Sequence, residues 1–123
     1  QVLFEINDGT SNNRIRIRNT NGNANLYATR TIGGASVDTP LLGTFSAGTL
    51  FRVGLTFDGS NVVANFNGGT NQTVAGVPTG LTTLRVGNNG SGSGPIFGEC
   101  GYFDALPYVI PGANLPAAVA AIP

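Results

Sequence analysis

Leu50-Phe51-Arg52-Val53-Gly54-Leu55-Thr56-Phe57-Asp58-Gly59-Ser60-Asn61-Val62-Val63-Ala64-Asn65-Phe66-Asn67-Gly68-Gly69 contains two changes of direction. Phe51, Val53, Leu55 and Phe57 share one parity and Arg52, Gly54 and Thr56 the other. Side chains of an extended segment alternate between the two faces of a sheet, so one face of this strand is apolar. Asp58-Gly59-Ser60-Asn61 turns the chain, residues 62–66 run back, and Asn67-Gly68-Gly69 turns it again, because Asn and Gly tolerate the backbone angles of tight hairpins. An antiparallel meander is the expected result.

The same two-residue period extends outward in both directions. Upstream, Val2, Phe4 and Ile6 alternate with Leu3, Glu5 and Asn7 before Asp8-Gly9. In Arg14-Ile15-Arg16-Ile17-Arg18 the alternation is complete: two isoleucines face one way and three guanidinium groups the other, where they must meet water or an anion. Asn21-Gly22 is a hairpin turn pair, and residues 26–30 are its return strand. Gly33-Gly34, Pro40 and Gly43 punctuate residues 31–48 and leave room for one short strand at 35–38. Downstream come a short strand near residues 73–75, a loop at Pro78 and Gly80, and a strand in Thr83-Leu84-Arg85-Val86-Gly87. The polar run 88–94 cannot bury apolar surface and reads as an exposed loop, followed by a long bulged strand over 96–109. Asn114 can cap a helix whose first turn accepts Pro116 and whose Ala-rich body ends before Pro123. So short a helix persists only by docking Leu115, Val119 and Ile122 on a sheet.

The chain has 123 residues, 19 of them Gly and 7 Pro, with 41% apolar and 10% charged side chains, which fits one all-β domain over residues 1–123. It has no His, which removes His-based metal sites and His-dependent catalytic triads. Six acids balance six bases, so there is no polybasic surface for nucleic acid. Every base is Arg. Cys100, the only cysteine, has no partner in the chain for a disulfide and reads as a small buried hydrophobe, with Gly98 and Gly101 reflecting close sheet packing. There is neither a signal-peptide pattern nor an apolar stretch of membrane-spanning length, so membrane insertion is not expected. The opening Gln1-Val2-Leu3-Phe4 lacks an initiator Met and reads as a point inside a longer protein.

The double hairpin resembles the central hairpin of concanavalin A-like, laminin-G-like domains: an aromatic-anchored strand ending in Asp-Gly, then a return strand ending in Asn-Gly. Leu81-Thr82-Thr83-Leu84-Arg85-Val86-Gly87 is similar to that family's Leu-Arg-Ile/Val-Gly strand. Phe97-Gly98 through Leu106-Pro107-Tyr108, with the terminal helix, resembles its closing strand and tail. The opening, Leu3-Phe4-Glu5-Ile6-Asn7-Asp8-Gly9-Thr10 and then Asn13-Arg14-Ile15, resembles the versions found in bacteriophage virion proteins. The resemblance implies an antiparallel two-sheet jelly-roll sandwich with a short C-terminal helix. It also implies a virion or extracellular setting, and other virion subunits and host-surface glycans as partners. Such domains carry one or two further strands before this opening, so the chain either lacks its first strands or takes that edge from a neighbour.

Some relatives hydrolyse glycans with a pair of carboxyl groups about 5 Å apart, or wider for inversion. Glu5 and Asp8 are three residues apart, which puts them on opposite faces of a strand, and Asp58, Glu99 and Asp104 fall elsewhere, so these read as ordinary solvated acids. The chain is not expected to be an enzyme. Glycan binding has better material: Asp8, Asn12 and Asn13 in one loop, Asn88, Asn89, Ser91 and Ser93 in another, and Tyr102, Tyr27 or Tyr108 as a platform. Turn formation accounts for the same Asn and Gly residues. Arg14, Arg16 and Arg18 can hold anionic groups of a surface polysaccharide, pair with acids of a neighbouring subunit, or be a solvated face. Neither Asp8 with Asn12 nor Asp58 with Asn61 makes up a calcium ligand set, so no metal and no cofactor is expected. Three functions stay open: a non-enzymatic decoration or adhesion module, a domain of a carbohydrate-active enzyme, and a purely structural assembly domain.

Overall fold

The alternating segments form two antiparallel sheets. The computed structural model describes residues 1–20, 23–90, 92, 99–106 and 108–123. One sheet holds β1 (Val2–Asn7), β2 (Arg14–Asn19), β3 (Asn25–Ile32), β4 (Ala35–Asp38), β5 (Gly43–Thr44) and β9 (Thr83–Val86), and the other β6 (Val53–Phe57), β7 (Asn61–Phe66) and β8 (Gln72–Ala75). The order in the first is β4-β3-β2-β1-β9, with β5 also pairing β3, and in the second β6-β7-β8. The chain changes sheet between β5 and β6 and returns between β8 and β9. β1 is therefore an interior strand, flanked by β2 and β9.

Register sorts the side chains. Ile15 and Ile17 stand opposite Ile6 and Phe4, and in the other sheet Leu55 and Phe57 stand opposite Ala64 and Val62. These inner faces meet: Ile17, Leu26, Ala28 and Leu42 pack with Ala64, Val53, Leu55 and Phe66, while Ile15 packs with Val62, Val74 and Phe57. Phe51 stacks between Phe45 and Phe66, with ring centroids at 5.4 and 5.8 Å. The arrangement is sandwich-like. Each fully buried Ile or Leu in it contributes about 1.5–3 kcal/mol relative to exposure.

Both turns of the double hairpin form as expected. Asp58 Oδ1 accepts the backbone N–H groups of Ser60 and Asn61 at 2.7 and 2.8 Å, and Asn67 and Gly68 take φ of 53° and 76°. Positive φ at both central positions gives the turn the twist that antiparallel strands need.

The helix α1 (Leu115–Ala120), led in by a 3₁₀ turn at Gly112–Asn114, lies on the outer face of the three-stranded sheet. Leu115 and Val119 are buried there against Gly54, where any Cβ would overlap Val119 Cγ2 and come within 3.3 Å of Leu115 Cδ1. Polar contacts fasten it. Buried Asn65 donates through Nδ2 to Gly69 O and Asn71 Oδ1, Asn71 Nδ2 donates to Gly112 O at 2.6 Å, and Arg52 Nε donates to Ile122 O at 2.6 Å.

Several expectations are corrected. Residues 99–106 and 108–110 form no strand; the rest of the long strand expected over 96–109, with Gly98 and the Asn21-Gly22 turn, lies outside the described residues. Cys100 is exposed rather than buried, and nothing lies within 4 Å of a Cβ at Gly101, so close sheet packing does not explain that glycine. Asn114 occupies the N-cap position but makes no side-chain cap: it is itself in helical conformation, at φ −95° and ψ −10°, and Pro116 has no N–H to offer a cap. In β1 the register shifts between Val2, opposite Arg18, and Phe4, opposite Ile17, which breaks the simple alternation.

Candidate functional site

The outward face of the six-stranded sheet is a polar lattice built by register. One row across the strands reads Arg85, Glu5, Arg16, Thr29, Asp38, and the next reads Thr83, Asn7, Arg14, Thr31, Ser36. Arg18 stands opposite Tyr27, which brings an aromatic ring onto this face. Of the guanidinium groups expected to meet water or an anion, those of Arg14 and Arg18 meet carboxylates of the sheet itself, beside Thr29 and Thr31, which are fully covered. Arg18 Nε donates to Thr29 Oγ1 at 2.9 Å and its Nη2 is 2.7 Å from Asp38 Oδ2, while the Thr29 hydroxyl donates to Asp38 Oδ1 at 2.6 Å. Charge-assisted bonds of this kind hold Arg18 and Asp38 as a fixed wall.

Glu5 is the main departure from the sequence reading. It is not a solvated acid but is 0% exposed. Its Oε1 accepts from Asn7 Nδ2 at 2.8 Å and from the Gly90 backbone N–H at 2.9 Å, and its Oε2 lies 3.5 Å from Arg14 Nη1. A carboxylate buried without such partners would be far too costly. Gly90 is small of necessity: a Cβ there would sit 2.9 Å from Glu5 Oε1 and 3.0 Å from Asn7 Nδ2. The loop containing Asn88 and Asn89 thus folds back on the arginine face, and two candidate regions that the sequence treats separately become neighbours. Neither Glu5 nor Asn7 was a candidate site residue in the sequence reading, and no local pattern would have exposed them, because the partner is 85 positions away.

Arg16 differs from its neighbours. Among the described residues its side chain has no hydrogen bond or ion pair, and its Nε is buried without a partner, as are Arg14 Nε and Glu5 Oε2. Burial first, then the charges of Arg14 and Arg18, hold its pKa below the usual arginine value. The guanidinium nonetheless stays charged.

The other candidates are placed differently. Asp8 accepts from Thr10 N, Thr10 Oγ1 and Asn13 Nδ2, and those bonds, the Thr10 hydroxyl's first, hold its carboxyl below the usual range. Asn13 Oδ1 accepts from Gly33 N and Asn12 O from Gly34 N, so this loop is engaged in docking on the β3–β4 hairpin. Asn7 Oδ1 accepts from Gly9 N and links that loop to Glu5. Tyr102 is exposed, its hydroxyl 3.3 Å from Asp104, whose charge raises the phenol pKa. It sits on the segment where Phe103 packs edge-on against Phe4, at 6.2 Å. Ser91 and Ser93 lie outside the described residues. A separate, mainly apolar recess of about 330 Å³ lies beside β6, lined by Leu55, Thr56, Phe57, Leu106, Tyr108 and Val109. It lacks the converging polar groups that mark a specific ligand site.

Among the described residues no group of three or more His, Cys, Asp or Glu could hold a metal ion, and no helix is long and apolar enough to cross a membrane. Comparison with protein-family models, with curated proteins and with solved structures finds no match to this chain.

Proposed function

We propose that the chain is a non-enzymatic adhesion or decoration module of a phage virion, a jelly-roll of the concanavalin A-like kind that takes host-surface glycans on the outer face of its six-stranded sheet. The observation that carries the glycan reading is the polar lattice itself. The partly exposed guanidinium groups of Arg16 and Arg18, with exposed Ser36 and Asp38, stand on a rigid, paired surface beside Tyr27, over buried Thr29, Thr31 and Asn7 and with a loop folded against one side. Sugars are held by such planar hydrogen-bonding arrays next to an aromatic ring. Preorganisation by the bonds of Arg18 to Asp38 and of Glu5 to Gly90 lowers the ordering cost of binding. The virion setting rests on the resemblance of the opening, the double hairpin and the Leu-Arg-Val-Gly strand.

An assembly-only role has one observation in its favour. Among the described residues β9 and β6 are edge strands, and Leu84, Val86, Tyr108 and Val109 are exposed. A glycan array probed with the chain, with mass spectrometry of the bound sugars and sedimentation of the protein, separates the readings. The expected result is retention of bacterial surface glycans without any new product. Conversion of a glycan would make the chain a carbohydrate-active enzyme domain, and a stable oligomer that binds no glycan would leave only the assembly role.

A further inference from the structure

We infer that Arg16 marks an oxyanion subsite on this face, so that the glycan recognised is an acidic polysaccharide bearing carboxylate or sulfate groups; this rests on the glycan reading above. Of the three arginines on β2, Arg18 is neutralised by Asp38 at 2.7 Å and Arg14 by Glu5 at 3.5 Å, whereas Arg16 makes no ion pair among the described residues. The groups facing it are Arg14 and Arg18 on its own strand, Glu5 and then Arg85 on one side, and Thr29 and then Asp38 on the other. Four cations against two acids leave an excess of positive charge across these rows. Glu5 and Asp38 are both committed to fixed partners, so neither can swing over to Arg16 without breaking a bond already described.

Spacing fits an anion presented on a chain. Alternate residues of a strand are about 7 Å apart, and opposite residues on adjacent strands about 5 Å. A carboxylate or sulfate at Arg16 therefore has Tyr27 one residue pair along the sheet, within reach of the sugar ring that carries it. Among the described residues Arg14 Nε and Arg16 Nε have no acceptor, and the half-buried Arg16 side chain donates no hydrogen bond, so its guanidinium fork is uncommitted. An acidic side chain of a neighbouring subunit would bring the same oxyanion, but it would leave Tyr27 without a ring to stack on, which favours the saccharide.

The test follows the arginine Nε–Hε signals of the ¹⁵N-labelled chain by NMR while sodium glucuronate, inorganic sulfate or neutral glucose is added. It also measures the binding of a polyuronate and of a neutral glycan taken from the array. Expected are saturable shifts at Arg16 and Arg14 with glucuronate and sulfate only, and none at Arg30 or Arg52, which are bonded to carbonyls. Arg16→Gln should weaken polyuronate binding about tenfold, as expected for loss of a charged contact. Arg85→Gln removes the same charge from the edge of the face and should change it less than about threefold. Equal losses in both variants would mean diffuse attraction and would overturn the subsite. Neutral-glycan binding that survives Arg16→Gln, with no anion response in the parent chain, would sink the subsite and leave the glycan function standing. A saturable anion response with no binding of any polysaccharide would overturn both the acidic-glycan assignment and the glycan function, in favour of a subunit contact. Should Arg16→Gln fail to fold, the titration of the parent chain still decides.

Discussion

Gly54→Ala tests the helix docking that closes the three-stranded sheet. Gly54 has no positive φ, so alanine is acceptable to the backbone, and in isolation the change should stabilise by about 0.4–1 kcal/mol through the unfolded chain. The opposing term is steric. The new methyl overlaps Val119 Cγ2 and sits 3.3 Å from Leu115 Cδ1. Overpacking of this kind costs about 1–3 kcal/mol when neighbours can shift. The ceiling is loss of the docked helix, where Leu115 and Val119 each contribute about 1.5–3 kcal/mol, or roughly 3–6 kcal/mol together. A net destabilisation of about 1–3 kcal/mol is expected, read as a lower urea midpoint at unchanged slope, with faster amide exchange at Val119 and Ile122. Because the clash is with Val119 itself, Gly54→Ala in a Val119→Ala background should be neutral or slightly stabilising, a coupling of at least about 1 kcal/mol. The same cost in both backgrounds, or parental stability for the single variant, would refute the packing argument.

Asn65→Ala should cost about 1–3 kcal/mol in urea unfolding, since it strips partners from Gly68 N, Gly69 O and Asn71 Oδ1 around a buried amide. Asp58 has a carboxyl pKa below its ordinary 3.8, held down by backbone N–H bonds from Asn61 and then Ser60, so its contribution is present above that value and is lost as pH falls through the depressed one. Asp58→Asn should therefore flatten the decline of thermal stability below about pH 4, and an unchanged acid limb would contradict the assignment. Cys100 should react with a thiol reagent in the native chain at the rate of the unfolded one, whereas marked protection would contradict its exposure.

The legible part of the molecule is the part whose causes are local. Phe51, Val53, Leu55 and Phe57 do share the inner face, the short strand at Ala35–Asp38 falls where expected, and the Asp58 and Asn67-Gly68 turns form. The strand expected to start at Leu50 is assigned from Val53, although Arg52 still exchanges bonds with Asn67 across the hairpin. Composition misled at Cys100: an apolar neighbourhood in sequence did not become an apolar neighbourhood in space. The candidate loops were only half informative. Asp8, Asn12 and Asn13 are occupied with turn and hairpin bonds, while Asn88 and Asn89 gain their position from Gly90 seated on Glu5.

By itself the sequence determined which side chains point the same way, because a pleated backbone repeats every two residues, and where the chain reverses, because Asp, Asn and Gly suit tight turns. Tertiary structure alone decided which of those faces meet and what lies across them. It buried Glu5 beneath Gly90, tied Arg52 to Ile122 across 70 positions and, among the described residues, left Arg16 without the acid that its two neighbours each have. These outcomes depend on the order of strands in the sheets. No short-range propensity encodes that order; it emerges when two apolar faces find the one pairing that leaves most polar groups bonded.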